Sequence, residues 1–183
     1  MRSGPVYTKE LPAADLHHNH HPPIAPATSR GSIFVIISVI IKPMNFQLVT
    51  LLGTKVDTDV YEVILPTAAG EIAVFPGHEP LVSLAVPGAI AVRHHKGDSD
   101  DKLEYFAVSG GVIEVSPENL RVLVDEADSG DDIVEAETKA ALERALKMRD
   151  NAKNQVELEK AHQLVDRHAV RLKVADLRRR HRR

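Results

Sequence analysis

His78 stands beside Glu79 and seven residues after Glu71, a grouping in which an imidazole could act as a general base with a carboxylate orienting it. The surrounding loop, Pro76-Gly77-His78-Glu79-Pro80, offers neither a nucleophile nor an oxyanion donor, which argues against catalysis. The sequence has no Gly-x-x-x-x-Gly-Lys-Ser/Thr loop, no Gly-x-Ser-x-Gly and no His-Glu-x-x-His, so nucleotide hydrolysis, serine-esterase chemistry and zinc proteolysis are excluded on motif grounds. A second group, His17, His18, His20 and His21, has the density to chelate a metal, but in a Pro-rich context it makes only a loose ligand set and no metal site is expected. The third is cationic: Arg167, Arg171 and Lys173, then Arg178, Arg179, Arg180, Arg182 and Arg183. Such a tail could meet nucleic acid or anionic lipid. No aromatic residues interleave with it, and the acidic stretches Asp98 to Asp101 and Asp125 to Glu137 repel polyanions.

The elements that must carry these groups fall into three parts. Residues 1–43 hold five prolines by Pro26 and the histidine cluster, a composition that buries too little surface to offset its ordering entropy, so disorder is expected there. The run Ile33 to Ile41 is β-prone and uncharged, and its nine residues are far below the roughly 20 a spanning helix needs. Read as a signal peptide the segment fits poorly, because Glu10 and Asp15 precede the apolar run and no clean small-residue cleavage site follows. With no cysteine in 183 residues there is no disulfide framework, which fits a reducing compartment.

From residue 44 to 127 the pattern is all β. Short apolar runs at Leu48 to Leu52, Val60 to Leu65, Glu71 to Phe75, Ala89 to His94, Leu103 to Ser109, Gly111 to Val115 and Leu120 to Asp125 alternate with turn signals. Gly70 permits a tight turn, and Pro76-Gly77 and Pro87-Gly88 read as two further turns. Seven or more short strands predict an all-β sandwich, a two-sheet flattened barrel.

Residues 128–183 predict an antiparallel two-helix hairpin with a basic tail. Asp131 or Asp132 is the expected cap of a first helix from about Ile133 to Arg149, and a second helix is expected from about Ala152 to Arg178. Ala136, Ala140, Ala141 and Ala145 make the first helix's apolar seam, with Leu142 and Leu146 as larger anchors, while Leu158, Ala161, Val165, His168, Ala169 and Leu172 share a face of the second. At about 0.8 kcal/mol per buried methylene, an alanine seam holds less tightly than a leucine seam. Both a releasable hairpin and a permanently docked one are consistent with it.

Ile64-Leu65-Pro66-Thr67, then Gly70-Glu71-Ile72-Ala73-Val74-Phe75-Pro76-Gly77-His78-Glu79-Pro80-Leu81-Val82 and Pro87-Gly88-Ala89-Ile90, followed by Tyr105 to Val115 with its Gly110-Gly111 pair, closely resembles the amino-terminal domain of the epsilon subunits of F-type ATP synthases. The resemblance implies a non-catalytic rotor subunit of the central stalk. It would couple the gamma subunit to the membrane c-ring in proton-driven ATP synthesis, peripheral to the cytoplasmic face of a bacterial cell membrane. It further implies ring contacts from Glu71 and His78, aimed by Gly70, Pro76 and Gly77, with His78 also satisfying its own turn. The hairpin's arginines would then meet the catalytic beta subunits conditionally and hinder hydrolysis. Members that bind ATP on the hairpin use Ile or Leu, Asp, two variable residues, Arg and Ala. Here Val134 and Glu137 occupy the Asp and Arg positions, so neither nucleotide nor any other cofactor is expected. The alternative is a stand-alone β-sandwich binding module whose basic helical tail attaches to nucleic acid or anionic membrane.

Overall fold

The computed structural model describes residues 42–181. The histidine cluster, the apolar run Ile33 to Ile41, and Arg182 and Arg183 lie outside the described residues, as does nearly all of the extension for which disorder is expected. Eight strands follow in order: β1 (Met44–Thr50), β2 (Gly53–Val60), β3 (Glu62–Thr67), β4 (Gly70–Val74), β5 (Leu81–Arg93), β6 (Glu104–Val115), β7 (Asn119–Val124) and β8 (Ala127–Ser129). Two helices close the chain, α1 (Glu135–Asp150) and α2 (Gln155–His181). The strands run β2-β1-β7-β6-β5-β3-β4 across one continuous sheet, with β8 also paired to β6. Only β1 with β7 is parallel among these pairs.

Strict alternation sets the inward face of β1 and β7. Met44, Phe46 and Leu48 of β1 and Leu120, Val122 and Val124 of β7 all enter one core, joined by Val63 and Leu65 of β3 and Val74 of β4. The sheet folds over this core because β5 and β6 change face partway along. In β6 the core residues are Phe106 and Val108, then Ile113 and Val115, so the parity of the inward positions flips between them. Gly110 (φ 104°) and Gly111 (φ 148°) lie at the flip. In β5, Ala85 and then Ile90 and Val92 face the core, with the flip at Val86-Pro87-Gly88. An irregularity of this kind bends a strand and exchanges its two faces.

That bend corrects two expectations. Pro87-Gly88 is not a turn between strands: both residues belong to the 13-residue β5, and Pro87 pairs with Ser109. A Cβ on Gly88 would lie 2.7 Å from Pro66 Cβ, so the glycine serves close strand packing rather than chain reversal. The double glycine likewise bends a single 12-residue strand instead of separating two. β2 was not expected at all. Val56, Thr58 and Val60 turn inward, while Lys55, Asp57 and Asp59 line an edge strand whose charges discourage pairing with other chains.

The second core lies on the outside of the bent layer, where Ala89 and Ala91 of β5 and Tyr105 and Ala107 of β6 meet Ile133, Val174 and Ala175. Helix α2 docks there, and α1 packs on α2. The structure places the helix starts later than expected. Residues 128 and 129 belong to β8, Asp132 N–H bonds Ser129 O at 3.0 Å, and Ile133 is buried beneath α2. The chain can therefore turn into α1 only after Ile133. Its N-cap is Val134, with no side-chain cap from Asp131 or Asp132. Ala145 is buried, with Ala141, Leu142 and Leu146 half-buried, but Ala136 and Ala140 face solvent. On α2, Ala169 is exposed while Leu158, Ala161, Val165, His168 and Leu172 are at least partly covered.

Candidate functional site

Strand register sorts the predicted site residues between two ends of the sandwich. Thr50, Val124, Gly111, Ala85, Thr67 and Gly70 are linked by successive pairings across the sheet, so the β1–β2 turn at Leu51-Leu52 and the β3–β4 turn before Glu71 share one end. Leu52 is 95% exposed there. Gly70, at φ 118°, makes the turn, and Thr67 Oγ1 donates to Gly70 O at 2.6 Å. Glu71 is exposed and lies 4.0 Å from Lys173 Nζ.

Pro76, Gly77 and His78 lie past the other end of β4, which carries the chain about 10 Å from Glu71 to Val74 before the loop begins. Gly77 N–H bonds Pro117 O at 2.8 Å, which ties this loop to the turn between β6 and β7. His78 Nδ1 is 2.7 Å from Glu79 O and its N–H bonds Phe75 O at 3.1 Å. The imidazole is therefore engaged by its own loop, and the fold does not bring it to Glu71. One sandwich end does not carry both turns.

A surface that the sequence reading missed lies on the outer face of the layer opposite α2. Leu84 pairs with Val112, Val112 with Leu123, and Leu123 with Val49, giving an apolar row four strands wide. Leu84 is 67% exposed and its neighbour Val82 75%. The adjoining row is polar, with Arg121 Nε donating to Gln47 Oε1 at 3.1 Å and Gln47 Nε2 to Asp57 at 3.2 Å. Neither Val82 nor Leu84 fell in an expected strand, so the alternation that reveals this face was not visible.

The basic positions are paired within the chain. Arg167 Nη1 lies 2.8 Å from Glu126, Arg171 Nε 3.4 Å from Asp128, Arg178 Nε 3.2 Å from Asp131, Arg179 2.5 Å from Asp176 and 3.5 Å from Glu135, and Arg180 2.6 Å from Asp176. The Arg171 contact is an ion pair without hydrogen-bond geometry, since its buried Nε has no aligned acceptor. Arg178 also donates to Gly130 O.

His168 sits among these arginines with a buried Nδ1 that has no hydrogen-bond partner. Burial pushes its pKa down, and Arg171, Arg167 and Arg144 push it further, against Asp128. A histidine held below its ordinary value of about 6.5 favours the folded state above that pH, and the contribution is lost as pH falls through the lowered folded value. Thermal unfolding followed from about pH 7.5 to about pH 5.5 should show a loss of stability that His168→Asn reduces.

With this geometry established, likeness to known proteins decides the assignment. Residues 43–130 match the family model described as the ATP synthase, Delta/Epsilon chain, beta-sandwich domain. Over 135 residues the chain is 33% identical to the ATP synthase epsilon chain of Staphylococcus aureus strain JH9, covering 73% of this chain and 97% of that relative. The same identity and coverage hold for strain Newman.

The chain belongs to the ATP synthase epsilon chain family.

Epsilon chains are subunits of ATP synthase and not its catalytic ones, in keeping with the missing phosphate loop. The fold is shared with a chain in a structure of the Euglena gracilis mitochondrial ATP synthase (OSCP/F1/c-ring), at TM-score 0.61 and 21% identity, covering 73% of this chain and 81% of that one. No described helix is long and apolar enough to cross a membrane. The family match decides against the alternative of a stand-alone polyanion-binding module, and each of those five arginines has a carboxylate within the chain.

Proposed function

We propose that this epsilon chain is the central-stalk subunit that couples gamma to the c-ring, peripheral to the cytoplasmic face of a bacterial cell membrane, with the hairpin acting as a regulatory arm. The observation that carries the reading is the apolar row of Val49, Leu84, Val112 and Leu123, in which Val49 and Val112 are half-buried and Leu84 and Leu123 exposed. An uncovered apolar face beside a polar network has the make-up of a protein interface, and gamma is its proposed occupant. A sandwich closed around a single core is also stiff enough to carry torque.

The ring contact is assigned to the end that carries Gly70 and Glu71, together with Leu51 and Leu52. Pro76, Gly77 and His78, tied to the turn between β6 and β7 past the other end of β4, are not included in this proposed contact. Arg167, Arg171, Arg178, Arg179 and Arg180 are proposed to meet acidic segments of the catalytic beta subunits when the hairpin leaves the sandwich. Arg182 and Arg183 would extend the same charge.

The test uses the full chain and a chain ending at Asp132. The main core contains no hairpin residue, so the shorter chain keeps it intact. Both should bind gamma, and ATP hydrolysis by the assembled catalytic complex should rise several-fold with the shorter one. An unchanged hydrolysis rate would leave the hairpin purely structural, and absence of gamma binding by either folded chain would remove the coupling role.

A further inference from the structure

The arginines of α2 do not meet their carboxylates at random. Glu126 and Asp128 lie along an extended segment that runs into β8 and Asp131 in the turn that follows it, while Arg167, Arg171 and Arg178 lie along the helix above them. From Arg167 to Arg171 the helix rises about 6 Å, while from Glu126 to Asp128 the extended chain advances about 6.6 Å. Past Asp128 the strand ends at Ser129 and the chain turns, with Asp132 N–H bonding Ser129 O, so Asp131 meets Arg178 from that turn rather than from a strand position. At about 100° per residue, the three arginines stay within roughly 40° of one line along the helix. A helix and an extended segment with different repeats are thus in step over the first two rungs, and the turn after β8 supplies the third.

The apolar contact beneath these rungs mixes small and large side chains. Ala89, Ala91 and Ala107 of the sandwich face Val174 and Ala175 of α2, beside Tyr105, Ile133 and the partly buried Val170 and Leu177. The alanine positions bury little area each, so charge adds to docking more than it would over an all-leucine interface. Each rung is half-exposed, with side-chain exposures of 35% and 48% for Arg167 and Glu126 and 24% and 30% for Arg171 and Asp128. Such pairs are individually weak and respond to ionic strength.

We propose that Glu126, Asp128 and Asp131 form a charge clasp, two rungs of it in register with the helix and the third from the turn after β8, that holds Arg167, Arg171 and Arg178 while the hairpin is docked, so that these arginines reach another anionic partner only after the clasp opens. The clasp is a property of the free chain. Its consequence for hydrolysis rests on the regulatory arm proposed above, and the experiment is therefore done without the rest of the complex, so that a closed clasp and an absent arm give different results.

The sequence contains no cysteine, so spin labels can be placed on the full chain through Lys96→Cys in the sandwich and Lys147→Cys in α1. The distance distribution between them reports the docked and released fractions. Raising salt from about 0.05 M to about 0.5 M should increase the released fraction several-fold, because the screening length falls from about 14 Å to about 4 Å and the half-exposed rungs lose most of their longer-range attraction. Glu126→Lys should raise that fraction about tenfold at low salt, and pairing it with Arg167→Glu should bring it back to within about threefold of the original. Asp128→Asn, which removes a charge without reversing one, should release the hairpin less than Glu126→Lys does. A released fraction that ignores salt, or a charge swap that recovers nothing while circular dichroism shows the sandwich folded, would overturn the clasp.

Discussion

Gly111→Ala is expected to lower the unfolding free energy of the sandwich by about 3–5 kcal/mol, combining backbone strain with steric overlap at a site that cannot relax. Gly111 has φ 148°, and a Cβ there would lie 2.0 Å from Leu123 O and 3.0 Å from Val124 Cα. Both obstacles are backbone atoms of β7, which is itself held between β6 and β1. Neither can move without breaking the sheet. Gly77→Ala is the matched control: φ is 83°, nothing lies within 4 Å of the added methyl group, and the cost should be near 1 kcal/mol. Urea unfolding measured for both variants, with midpoint and slope, checks the pair. Equal losses would mean that the bend in β6 is not the point on which the two layers depend.

Leu84→Asp is expected to weaken binding to gamma by about 100-fold or more while leaving the chain folded, because it would bury an unpaired carboxylate in the centre of the proposed contact. The side chain is 67% exposed in the free protein, so the substitution disturbs no core packing. It sits between Val82 and the row through Val112, Leu123 and Val49, where apolar area from four strands converges. Val156→Asp alters an equally exposed side chain on α2, away from this face, and should leave gamma affinity unchanged. Titration calorimetry with purified gamma would separate the two. If both variants bound alike, the apolar row would not be the seat of gamma.

The parts of this fold that could be read from the sequence are those where a strand alternates cleanly. Leu120, Val122 and Val124 alternate with Asn119, Arg121 and Leu123, and the structure places that strand within a residue of expectation at each end. The bend was misread because Pro-Gly is a local turn signal, whereas Gly88 is required by the distant Pro66 and Gly111 by the distant Leu123. Such requirements have no local signature. β2 escaped notice because an edge strand with two inward valines resembles a polar loop.

The same distinction holds for the candidate sites. Resemblance pointed to Glu71 and His78 together, since they are close in sequence, but β4 is extended and separates them. The arginines were evident as charge, and their partners were not: Glu126 and Arg167 are 41 positions apart and meet only when α2 folds back over β8. The apolar row required the register of four strands, which periodicity within any single strand does not supply.

The central claim is that this chain links the catalytic sector to the proton path, and ATP-driven proton pumping tests it most directly. Membranes carrying ATP synthase stripped of its own epsilon chain would be supplied with the full-length protein, and pumping would be followed by a fluorescent pH indicator while hydrolysis is measured in parallel. Coupling predicts that pumping per ATP hydrolysed is restored, and that Leu84→Asp fails to restore it. Hydrolysis that stays uncoupled in the presence of folded, gamma-bound protein would contradict the account.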